Sequence, residues 1–127
     1  MSVTAEHVAR RFVASTDIEW AASCFHDAER FYAEAVEGDF LRAGHQMVYS
    51  LREAIGVLSG FVEEFEVEEH NATFKLVFDR KLETAGFELE KLDRAVQRDE
   101  FLAFGATALY AVQSALRVAQ TLSVSLY

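Results

Sequence analysis

The stretch DIEWAASCFHDAERFYAEAVEGDF, residues 17–40, decides the fold. At 100° per residue, Trp20, Ala21, Cys24, Phe25, Ala28, Phe31, Tyr32, Ala35 and Val36 fall on one side. Glu19, Ser23, His26, Asp27, Arg30, Glu34 and Glu37 fall on the other. This is the period of an amphipathic helix, predicted from about Asp17 to Glu37, with Ser15-Thr16-Asp17 supplying cap chemistry at its start. Gly38 suits the position just past a helix end, and Asp39 suits the cap of the next helix. Almost no loop remains between the two, so the chain must turn back on itself as an antiparallel helical hairpin.

The same period continues on both sides of this hairpin. Upstream, a short helix is expected from about Thr4 to Ala14, with Val8 and Phe12 spaced to dock. Downstream, Leu41, Met47, Val48, Leu51, Ala54, Ile55, Leu58, Val62 and Phe65 form the inner face of a helix from Phe40 to about Glu66. A polar connection ends at Asn71, a capping residue. The next helix, about Ala72 to Gln97, groups Phe74, Val77, Phe78, Leu82, Ala85, Leu89, Leu92 and Val96. Gly86 inside it costs about 1 kcal/mol relative to alanine and is a natural place for a bend. Asp99 caps a last helix, about Glu100 to Val124. The fold class is therefore all-α: an up-and-down four-helix bundle with a short extra N-terminal helix, one domain over residues 1–127. The absence of proline agrees, since helix interiors exclude it.

Composition narrows the function. The formal charge of −9 repels nucleic acid at long range and argues against nonspecific DNA binding. The one cysteine, Cys24, can form no internal disulfide, and the N-terminus lacks a basic start and an apolar run. Both point to the cytoplasm. From Phe101 onward the chain is apolar, but Gln113, Ser114, Arg117 and Gln120 interrupt it, so no membrane span is expected.

Residues suited to chemistry are sparse. A carboxylate-bridged metal bundle needs Glu-x-x-His on two helices. Thr4, Ser23, Arg42 and Val67 stand three residues before the four histidines instead. No metal and no cofactor is expected, and the acidic run Glu63–Glu69 reads as a solvated charge cluster. Cys24 lies on the apolar stripe, where a thiol is an inert small hydrophobe. The best candidate surface is Arg42, His45, Tyr49 and Arg52, whose spacing of three, four and three stacks them along one outer side of a helix. Such groups suit a phosphate or a carboxylate-bearing partner. The alternative is an ordinary solvated face.

The last helix admits two readings. Gly105, Ala108, Ala111, Ala115 and Ala119 recur at three- and four-residue steps, which lets helices approach closely. Either this helix is central to its own bundle, or this face, with Val112, is a homodimer seam.

Within residues 27–58, Ala28, Phe31, Tyr32 and Ala35, then Gly38-Asp39-Phe40, Ala43 and Leu51-Arg52-Glu53-Ala54-Ile55, resemble the central hairpin of HEPN-type helical bundles. The resemblance covers about a quarter of the chain. It implies a four-helix bundle that often dimerises, in a superfamily of RNase toxins, nucleotidyltransferase partner subunits and noncatalytic adaptors. The Arg-then-His pair of catalytic members is missing here, so the resemblance implies a noncatalytic member. The expected function is accordingly a noncatalytic interaction module that forms a homodimer and presents the Arg42–Arg52 stripe to a protein or anionic partner. The alternative is a HEPN-like nucleotide- or RNA-handling subunit.

Overall fold

A computed structural model describes the backbone of residues 5–38, 40–64, 72–95 and 100–125, and side chains within 16–38, 41–60, 73, 75–95 and 100–121. Four helices account for almost all of it: α1 (Ala5–Val36), α2 (Phe40–Glu64), α3 (Ala72–Ala95) and α4 (Phe101–Ser125). No strand occurs among the described residues.

The separate N-terminal helix expected over residues 4–14 is not seen. α1 runs without interruption through Ser15-Thr16-Asp17. No glycine or proline stands between Ala5 and Val36, so cap-forming side chains alone do not stop the helix. What does stop it is Gly38, at φ +130°, a left-handed value that glycine adopts without a Cβ clash. Its N–H donates to the Ala35 carbonyl at 3.2 Å, and the Glu37 N–H to the Ala33 carbonyl at 3.2 Å. α3 likewise continues unbroken through Gly86.

The helices surround one core. α1 packs most extensively on α2, and α3 on α4; α1 also meets α4, and α2 meets α3. No contact joins α1 to α3 among the described residues, which places them across the diagonal. The end of α1 meets the start of α4, as in an antiparallel pair, where the Tyr32 hydroxyl donates to the Leu102 carbonyl at 2.7 Å, and the middle of α2 reaches the end of α3 where Arg52 pairs with Asp93. Phe78, Phe101, Met47, Leu51, Leu58, Leu92 and Val112 fill the centre without solvent exposure. Burying a side chain of this size contributes about 1.5–3 kcal/mol.

Four residues expected inside lie open instead: Trp20 (52% exposed), Val36 (54%), Leu41 (62%) and Val77 (40%). Each sits at an edge or end of its stripe, where a neighbouring helix no longer covers it. The side chains of Val8, Phe12, Val62, Phe65, Phe74, Val96 and Glu63–Glu69 lie outside the described residues.

Candidate functional site

The stripe on α2 forms as its spacing requires, with Arg42, His45, Tyr49 and Arg52 all exposed on one outer side. Its arginines do not converge. Arg42 Nη2 turns to Glu34 of α1 at 3.7 Å, and Arg52 Nη2 to Asp93 of α3 at 3.3 Å. Their Cα atoms are separated by about 15 Å of helix rise. Two guanidiniums so far apart, each near a carboxylate from a different helix, do not clasp one small anion. They bridge α2 to its two neighbours through exposed ion pairs, each contributing about 0–1 kcal/mol. The stripe is an open, partly charge-compensated surface.

Cys24 is buried on α1. Burial pushes its thiol pKa up, and the carboxylates of Glu53 and Asp27 push it further, against a lowering hydrogen bond from Trp20. All but the last effect favour the protonated thiol, the opposite of what a nucleophile needs. Among the described residues no three His, Cys, Asp or Glu side chains come together where they could hold a metal ion. His26 pairs with Glu29 on the same helix face at 3.0 Å.

The six residues expected at a dimer seam are used by the chain itself. Ala108, Val112, Ala115 and Ala119 have no exposure, Ala111 has 7%, and Gly105 is buried. A side chain covered by its own bundle leaves little surface for a second copy. Their small size serves the interior. At Gly105 a Cβ would fall 2.5 Å from Tyr32 Cε2 and 2.9 Å from Cδ2, so α1 and α4 meet here with an aromatic ring against bare backbone.

The outer side of α4 is different. Thr107 and Thr121 donate their hydroxyls to the Ala103 and Arg117 carbonyls of the same helix, at 3.2 and 2.9 Å. Tyr110 stands 71% exposed between them. By length and composition Phe101–Thr121 could cross a membrane, but 39% of its most apolar window is buried in the bundle. On α3, Leu76 (56%) and Phe87 (61%) are also open, with Lys91 Nζ 5.1 Å from the centre of the Phe87 ring. These exposed aromatics were not among the residues that charge and motif singled out. Their signal is a negative one: Phe87 and Tyr110 are large rings that the helical period leaves off the buried stripe. Compared with protein-family models, curated proteins and solved structures, the chain matches none.

Proposed function

We propose that this chain is a noncatalytic helical interaction module of the cytoplasm that works as a homodimer. One observation carries the reading: large apolar side chains on every helix, from Trp20 to Tyr110, stay 39–71% exposed although the chain closes a well-filled core. Large apolar side chains left this open are available for another surface to dock on. The α2 stripe is the second contact region. A partner bearing carboxylates or phosphates would engage Arg42 or Arg52 by exchanging places with Glu34 or Asp93.

The rival reading is a HEPN-like subunit that handles nucleotide or RNA. His45 and Tyr49, exposed between the two arginines, favour it. The two readings separate by experiment. Light scattering at tens of micromolar should give the mass of two chains, and a monomer would overturn the dimer. A short RNA oligonucleotide, titrated at low salt, should bind wild type and Arg42→Gln/Arg52→Gln equally weakly. Tight binding that this double variant abolishes would instead establish the rival. The variant should keep its stability within about 1 kcal/mol, because both pairs are exposed.

A further inference from the structure

We draw no further inference here: the strongest candidate, the outer face of α4 around the exposed Tyr110, carries nothing, because nothing in the structure shows what covers it.

Discussion

The junction of α1, α2 and α4 and the outer half of α3 are built from the same kinds of residue, yet they are packed very differently. At the junction Tyr32 lies against the Gly105 backbone and bonds the Leu102 carbonyl, its ring centre 6.4 Å from that of Phe101, and Met47 is fully covered. On α3, Leu76, Val77 and Phe87 stay open, and a Cβ added at Gly86 would meet nothing within 4 Å. Position in the bundle makes the difference. Among the described residues α4 touches all three other helices, whereas α3 touches two. Small residues on α4 therefore serve close packing, while glycine on α3 serves no packing contact.

The largest effect should come from a charge placed in the tight region. Ala115 has no exposure, and a glutamate there would be an unpaired buried carboxylate in a space with room for a methyl group. Ala115→Glu should cost about 4 kcal/mol or more, a large share of the 5–15 kcal/mol typical of a domain. Thermal melting followed by circular dichroism should show it unfolded or barely folded. A stable Ala115→Glu monomer would mean that this side of α4 is not interior after all.

A smaller loss separates notch from gap more finely. Gly105→Ala forces a methyl into the Tyr32 ring, and that ring cannot simply swing aside while its hydroxyl holds the Leu102 carbonyl. Overpacking of this kind costs about 1–3 kcal/mol, despite alanine's better helix propensity. Tyr32→Phe/Gly105→Ala should recover part of that loss, because the ring is then released from its hydrogen bond. Chemical denaturation of the single and double variants would check both signs.

Much of this was legible in the sequence, and what was not has a common cause. Gly38-Asp39-Phe40 placed the first hairpin correctly, because a left-handed glycine between two amphipathic stripes leaves the chain one way to turn. The starts of α2, α3 and α4 fall within a residue of where capping chemistry put them. The break at Ser15-Thr16-Asp17 was misread, since the same side chains are tolerated inside a helix that nothing else interrupts. Periodicity also tells which side of a helix is apolar without telling how many neighbours cover it. That is why Trp20 and Val77 were expected inside, and why the alanines of α4 fitted a seam between chains as well as a seam within one. The Arg42–Arg52 stripe was legible as a line on one helix. The carboxylates of Glu34 and Asp93 that draw its ends apart come from other helices, and no spacing within α2 could reveal them.

The smallest effect carries the opposite sign and tests the loose side of the comparison. Gly86 is half-buried in the middle of α3, and glycine there costs conformational entropy in folding that alanine does not. If α3 needed the glycine for a bend or a close neighbour, a methyl would clash or the helix would break, and neither occurs. Gly86→Ala should therefore stabilise the chain by about 0.5–1 kcal/mol. Gly56, on an exposed position of α2 with nothing near its missing Cβ, should behave the same way. The two sites lie on different helices and should add nearly independently. Denaturant midpoints of the two single variants and the double would decide it: gains that sum confirm that these glycines pack against nothing. A loss at Gly86 would show that α3 has a close neighbour there, as α4 has at Gly105, and the contrast between the two regions would fall.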